Sequence, residues 1–436
     1  MIKGVSNLID SQKKHIVEIT DYTYDGLGIG KINNFPLFVS NAVVGETVEV
    51  KITKLKKNLA FAEITEIKTI GAMRENPPCK YYDECGGCHL MHLRYEEQLR
   101  FKTNHVRETL KRIGGIDTEA LVNDCIGMEF PFNYRNKLII PFSKGLAGLY
   151  KKGTHDIVDI EECHILNKEA LEIVKYLNKL PVNKLIRNVM VRNSHYRNEL
   201  MVVIITWKPI SLSSIGNITK EFPGIVSVIN NINDQNSNVI LGKRSYILIG
   251  EDSYKDYMFG NTYEINHRSF YQINTMQTEL LYKKTIESVD LKDKVVVDAY
   301  CGIGTIGISC AGAAKKVYGI EVVEAAVNSA RDNAEENGVN NIEFFLGKAE
   351  EVISTIITEE VDVVIVDPPR KGCQEEFLQS IIDNKIKDFV YVSCNVSTLA
   401  RDINFLSNHY DVLEVTPFDM FPHTYHVECV ARLKLK

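Results

Sequence analysis

The chain has 436 residues, of which 44% are hydrophobic and 25% charged, and it carries a formal net charge of −6 at pH 7. That length exceeds one typical hydrophobic core and predicts two or three domains, while the ordinary composition excludes wholesale disorder and collagen-like repetition. No stretch approaches the roughly eighteen apolar residues of a membrane span, and the surplus of acid argues against a protein that coats nucleic acid nonspecifically.

The opening Met1-Ile2-Lys3-Gly4-Val5-Ser6-Asn7-Leu8 lacks the apolar core of a signal peptide, so a cytoplasmic protein without membrane contact is expected. Residues up to about 70 read as short strands. Val48, Val50 and Ile52 alternate with Glu49, Lys51 and Thr53, as in a half-buried strand. With the glycine turn Gly26-Leu27-Gly28-Ile29-Gly30 before it and Ala60-Phe61-Ala62-Glu63-Ile64 after it, the outline is a small all-β barrel. Two basic clusters, Lys51, Lys54, Lys56 and Lys57, then Arg94, Arg100, Lys102, Arg107, Lys111 and Arg112, leave room for a local basic groove.

A break at Asn76-Pro77-Pro78 precedes a cysteine-rich segment, and a charged helical stretch over 94–113 ends at Gly114-Gly115. From 126 to 260 strands (137–142, 189–192, 201–207, 226–230) mix with a helical pattern at 168–178, which predicts an α+β unit. The last third alternates regularly. Strands at 295–299, 317–321, 342–346, 361–366 and 389–392 are separated by helices such as 323–337, which Gly338 terminates. This alternation predicts parallel strands with helices on both faces and ligands at the strands' C-terminal ends.

Gly302-Ile303-Gly304-Thr305-Ile306-Gly307 follows the first of those strands and matches the dinucleotide fingerprint, with Glu321 at the next strand end to hold ribose hydroxyls. The acidic residue in Asp298-Ala299-Tyr300-Cys301-Gly302 tilts the loop towards S-adenosylmethionine; otherwise it caps the turn. Two later phrases, Asp367-Pro368-Pro369-Arg370 and Ser393-Cys394-Asn395, also follow apolar strands. Together they place a rigid acidic loop near a cysteine, although a cysteine after an apolar run is more often inert packing.

Ten cysteines in a cytosolic chain point to metal or catalysis for some of them rather than to disulfides. Cys79, Cys85 and Cys88 are bunched on a glycine turn, and Cys163 is the natural fourth ligand. Spacing leaves zinc and an iron-sulfur cluster nearly even. Cys301, Cys310, Cys373 and Cys429 read as small packing residues.

Asp298 to Gly304, Asp367 to Arg370, Ser393-Cys394-Asn395 and His426-Val427-Glu428, in this order, resemble the RumA/TrmA-like RNA (uracil-5-)-methyltransferases, and Ser269-Phe270-Tyr271-Gln272-Ile273-Asn274 resembles that family's entry to its catalytic domain. The barrel, over about 8–67, resembles a TRAM domain, an RNA-binding module. The resemblance is weak between 165 and 260.

The resemblance implies an α/β Rossmann-like methyltransferase domain (94–124 and 261–436), an N-terminal TRAM barrel (1–70) and a central α+β iron-sulfur domain (71–93 and 125–260). It implies Cys394 as the thiolate that attacks uracil and Glu428 as the base that releases the product. Gln272, Tyr300, Glu321 and Asp367 are implied to contact S-adenosylmethionine, and Cys79, Cys85, Cys88 and Cys163 to hold a 4Fe-4S cluster, as in the family's ribosomal branch. The expected product is 5-methyluridine in large-subunit (23S) ribosomal RNA, made by a monomer.

Transfer RNA as acceptor, an amino-methyltransferase using the Asp-Pro-Pro loop, a noncatalytic RNA-binding protein and a nicotinamide oxidoreductase are the alternatives. Cys394 is expected to gain thiolate character from the N-terminus of the helix over 396–405. By pattern alone, Glu428 is an exposed glutamate on an edge strand.

Overall fold

The computed structural model describes residues 10, 12–143, 145–356 and 361–436; the N-terminal residues 1–8 read above lie outside them. Five strands, β1 (Lys14–Tyr22), β2 (Gly28–Ile32), β3 (Phe35–Ser40), β4 (Thr47–Leu55) and β5 (Ala60–Thr69), form a closed barrel in the order β1-β2-β3-β5-β4. Val17, Ile19, Leu37, Val39, Val48 and Val50 fill it, so the alternation read at 48–53 follows the barrel wall. Glu46, fully buried, accepts from Nε and Nη2 of Arg74 at 2.5 and 2.7 Å and ties the barrel to the chain that follows.

Helix α1 (Tyr95–Thr109) ends in a π-helical turn at Leu110–Gly114, where Gly115 adopts a left-handed φ of 66°. A seven-stranded sheet then assembles from β6 (Lys137–Ser143), β7 (Leu146–Tyr150), β8 (Ile157–Asp159), β9 (Ile186–Asn193), β10 (Leu200–Thr206), β11 (Ile225–Ile232) and β12 (Arg244–Gly250). Its order is β12-β11-β10-β9-β6-β7-β8, with α2 (Lys168–Lys179) and the short α3 (Ile218–Glu221) in the connections. β10 is buried along its whole length. Strands β7, β8 and β12 escaped the pattern reading because β8 is three residues long and β12 presents Tyr246 and Ile247 to solvent.

A hairpin of β13 (Ser253–Met258) and β14 (Asn261–Asn266) follows, turning on Phe259 and Gly260 at φ 52° and 79°, the paired positive values of a tight hairpin turn. Its Tyr254 and Tyr263 pack with residues of both large sheets.

The last unit comprises α4 (Thr275–Glu287), β15 (Val295–Ala299), α5 (Thr305–Ala311), β16 (Lys316–Glu321), α6 (Glu324–Glu336), β17 (Ile342–Leu346) and α7 (Ala349–Ile356). It continues through β18 (Val363–Val366), α8 (Glu375–Asp383), β19 (Asp388–Ser393), α9 (Val396–Leu406), β20 (Tyr410–Phe418) and β21 (Glu428–Leu435). The sheet order is β17-β16-β15-β18-β19-β21-β20. It is not wholly parallel as the alternation predicts: β21 runs antiparallel to both β19 and β20. The chain passes through α9 to the outer edge, then returns and inserts β21 into the gap. That reversal brings the start of β21 to the end of the sheet where the parallel strands finish.

Candidate active site

The glycine loop leaves β15 through left-handed positions at every second residue, Tyr300, Gly302 and Gly304, with φ of 65°, 57° and 84°. A tyrosine held there is strained, and such strain persists where surrounding structure fixes it. Asp298 is fully buried and its Oδ2 accepts from the Gly307 amide at 2.8 Å. It therefore braces the loop from below, the capping role, and its carboxyl is pushed up to about 8 by burial. Glu321 accepts from the amides of Gly302 at 3.1 Å and of Val322 and Val323 at 2.8 and 2.9 Å. Those bonds orient the carboxylate and leave one lone-pair site, on Oε2, for a ligand hydroxyl.

The two later loops are joined directly. Asn395 caps α9 by accepting from Ser397 N at 3.1 Å, and its Nδ2 donates to the Arg370 carbonyl at 2.9 Å. Across β19 and β21 Ser393 faces Cys429, so the next step of the antiparallel register sets Cys394 opposite Glu428. Glu428 is 4% exposed and lies on an interior strand, which overturns the edge-strand reading.

Burial, with the nearby Asp367 carboxylate, pushes Glu428 up to about 8, while Arg370 pulls the other way. Asp367 is raised by burial to about 7. Burial and then the carboxylates of Glu428 and Asp367 push the Cys394 thiol up to about 11. The direction is opposite to the expected activation by α9, whose Ser397 amide is already engaged by the Asn395 side chain.

Gln272, Tyr300, Glu321, Asp367, Cys394 and Glu428 all line one cavity of about 890 Å³. That volume lies within the range of ligand sites, roughly 300–1,000 Å³. Sequence reasoning missed Arg135, Lys137 and Phe421 in the same wall, which also holds Phe270 and Thr305 from the two quoted motifs. The readable signal was Arg135 and Lys137, two cations at alternate positions entering an otherwise apolar strand. His426 also lines the cavity, whereas His423 is buried against Phe132, with ring centroids 4.7 Å apart.

A second cavity of about 150 Å³ is lined by Cys79, Cys85, Cys88 and Cys163 and shares Arg135 and Lys137 with the first. The Gly87 amide donates to Cys85 Sγ at 3.4 Å. Burial raises the Cys88 thiol, and Cys163, Cys85 and Cys79 add to the rise. Among the described residues no group of three or more His, Cys, Asp or Glu is arranged to hold a metal ion. Cys301, Cys310, Cys373 and Cys429 are buried packing residues, as is Cys125. Among the described residues no helix is long and apolar enough to cross a membrane.

Residues 251–436 match the family model of tRNA (uracil-5-)-methyltransferases, and residues 15–65 match the TRAM domain. An uncharacterised RNA methyltransferase of Listeria innocua is 44% identical, with 98% of this chain and 99% of that protein covered. One of Clostridium tetani is 42% identical, with 94% of each covered. The crystal structure of Pyrococcus abyssi tRNA (uracil-54, C5)-methyltransferase with S-adenosyl-L-homocysteine superposes at a TM-score of 0.77 and 28% identity, covering 97% of this chain and 100% of that one. With a cavity that joins the glycine loop to the two later motifs, the chain belongs to the RumA/TrmA-like RNA (uracil-5-)-methyltransferases, α/β enzymes that use S-adenosylmethionine, and carries a TRAM barrel.

Proposed function

We infer that the protein methylates carbon 5 of a uridine in 23S ribosomal RNA through a covalent cysteine adduct. The observation that carries this reading is the single cavity in which Cys394, Glu428 and Asp367 meet the glycine loop and Glu321. Carbon 5 of uracil is a weak nucleophile, and addition of a thiolate at carbon 6 moves electron density onto it. The bound donor supplies an electrophilic methyl group on a sulfonium.

Cys394, once its proton has passed to solvent, forms as thiolate the bond to carbon 6, and carbon 5 then forms its bond to the methyl group as the methyl's bond to the donor sulfur breaks, leaving a neutral thioether. Glu428 takes the proton from carbon 5, the carbon–sulfur bond breaks, and the double bond and the thiolate are restored. Asp367 stands on a loop stiffened by two prolines and joins Gln272, Tyr300 and Glu321 in holding the donor.

The four cysteines fit a 4Fe-4S cluster. They line one small cavity together, and four thiolates are the donor set such a cluster takes. The cluster would fasten the turn over 79–88 to Cys163, a structural role, since the reaction transfers no electron.

Ribosomal RNA rests on the combination of barrel and cysteine module. Transfer RNA is the second reading, favoured by the likeness to the Pyrococcus abyssi enzyme, which spans the whole of that chain. Incubation with S-adenosylmethionine and either 23S ribosomal RNA or transfer RNA transcripts, followed by mapping of 5-methyluridine, separates the two. No 5-methyluridine in either RNA would refute the proposal.

A further inference from the structure

A chain of aromatic rings runs from the catalytic cavity to the barrel. Phe421 and His426 line the cavity with ring centroids 5.8 Å apart, and His426 lies 4.4 Å from Tyr425. Tyr425 is 4.7 Å from His89, on the cysteine-rich segment, and 6.5 Å edge-on from Tyr24.

Tyr24 is 68% exposed and sits on the loop between β1 and β2, so it adds nothing to the barrel core. Its turn is nevertheless built: the Gly26 amide donates to the Thr23 carbonyl at 3.0 Å, and the Thr23 hydroxyl donates to Asp25 at 2.5 Å. Gly26 itself, at φ 85°, lies so close to Leu90 that a Cβ would come within 2.5 Å of it. The loop tip is thus held against the cysteine-rich segment, and its ring is presented outward. Positive charge stands at the cavity end of the track, where Arg370 and His426 share one wall.

Neutral rings in series beside cations are what unpaired nucleic acid requires, because every base has a face that stacks and every nucleotide a phosphate. The track opens into the cavity that takes the target base, and a base extruded into an active site needs its neighbours held.

We propose that Tyr24, Tyr425 and His426 form a stacking track for the unpaired RNA nucleotides that flank the target uridine, carrying the strand from the cavity to the barrel. The proposal rests on uridine in RNA being the acceptor. Tyr24 acts by its ring face, so Tyr24→Phe retains the function and Tyr24→Ala removes it.

The test uses the full-length protein and a single-stranded RNA oligonucleotide with one 5-fluorouridine and 2-aminopurine beside it. Stacking is expected to quench the 2-aminopurine on binding. Tyr24→Ala and Tyr425→Ala are each expected to restore fluorescence and weaken binding by about fivefold or more. The dependence of affinity on salt should stay as in the wild type, since no phosphate contact is lost. Tyr24→Phe should behave as wild type.

Wild-type affinity and quenching in Tyr24→Ala would overturn the track, as would a Phe variant as weak as the Ala variant. Failure of the wild type to form a covalent adduct with the same RNA in the presence of S-adenosylmethionine would instead overturn the uridine reading itself. An intact adduct with an unaffected Tyr24→Ala removes the track alone.

Discussion

The amide of His89 donates to the carbonyl of His423 at 2.8 Å, one residue from the proposed cluster ligand Cys88 and five from the proposed base Glu428. Leu90 donates to the same carbonyl at 2.9 Å, and the His423 amide donates to Gln98 Oε1 at 3.0 Å. His423 is held at φ 67°, a conformation that costs a non-glycine residue energy unless its neighbours enforce it. The cysteine turn is thus one of the clamps on the segment that leads into β21.

Loosening that clamp should displace Glu428 more than Cys394. In Cys88→Ser, methylated RNA–protein adduct is expected to accumulate on denaturing gels while turnover falls on the order of ten- to a hundredfold, the effect of a small misplacement. Loss of turnover without any adduct would show that the turn acts on RNA binding or overall folding instead.

Removing the proposed base should stall the last step. Glu428→Gln is expected to lose about 10²- to 10⁴-fold in turnover and to trap the methylated adduct. Ordinary turnover by this variant would take the base role from Glu428.

The pH dependence follows from the same carboxylate. Burial raises Glu428 to about 8, so at pH 7 most of it is protonated and unable to accept a proton. The rate is expected to climb as pH rises through about 8. A rate limb at the ordinary carboxylate range near 4.5 would contradict this. For stability the sign is opposite: folding favours the protonated form, so Glu428 contributes most at low pH and loses that contribution between about 4.5 and about 8.

Cys394 should become more reactive when the opposing charge is removed. At pH 9, above the value of Glu428, the wild-type thiol faces an ionised carboxylate, whereas in Glu428→Gln it does not. Alkylation of Cys394 by iodoacetamide, followed by mass spectrometry, is expected to be several-fold faster in the variant. An unchanged rate would mean that the carboxylate does not act on the thiol.

Lys102 and Asp419 form an ion pair with both side chains fully buried, and Asp419 also accepts from Tyr95 Oη at 2.8 Å. Lys102 donates further to the Phe421 carbonyl at 3.2 Å. Lys102→Met leaves a buried carboxylate uncompensated and is expected to destabilise the protein by about 3–5 kcal/mol. The double variant Lys102→Met with Asp419→Leu should recover a large part of that loss in a urea titration. Equal loss in both would show that packing, not charge, holds the pair.

The strands β15, β16, β17, β18 and β19 could be read within a residue or two because each is an apolar run followed by helical periodicity and a glycine or polar stop. Cys394, Asp367 and Glu321 were legible because chemistry at a parallel sheet gathers where strands end, and each follows such an end. The hairpin at Phe259-Gly260 was not legible, since a phenylalanine with positive φ carries no turn signature.

Chain order alone determined the barrel, the cysteine turn and the motifs of the methyltransferase sheet, because local pattern and spacing are properties of neighbours in sequence. Tertiary structure decided the rest. The reversal of β21 turned an apparent edge glutamate into a buried carboxyl opposite Cys394, and burial with the Glu428 and Asp367 carboxylates pushes the thiol up. The rings of Tyr24, His89 and Tyr425 lie far apart in sequence and became one surface only when the units packed. Burial and register depend on which distant strand lies alongside, and no local window contains that partner.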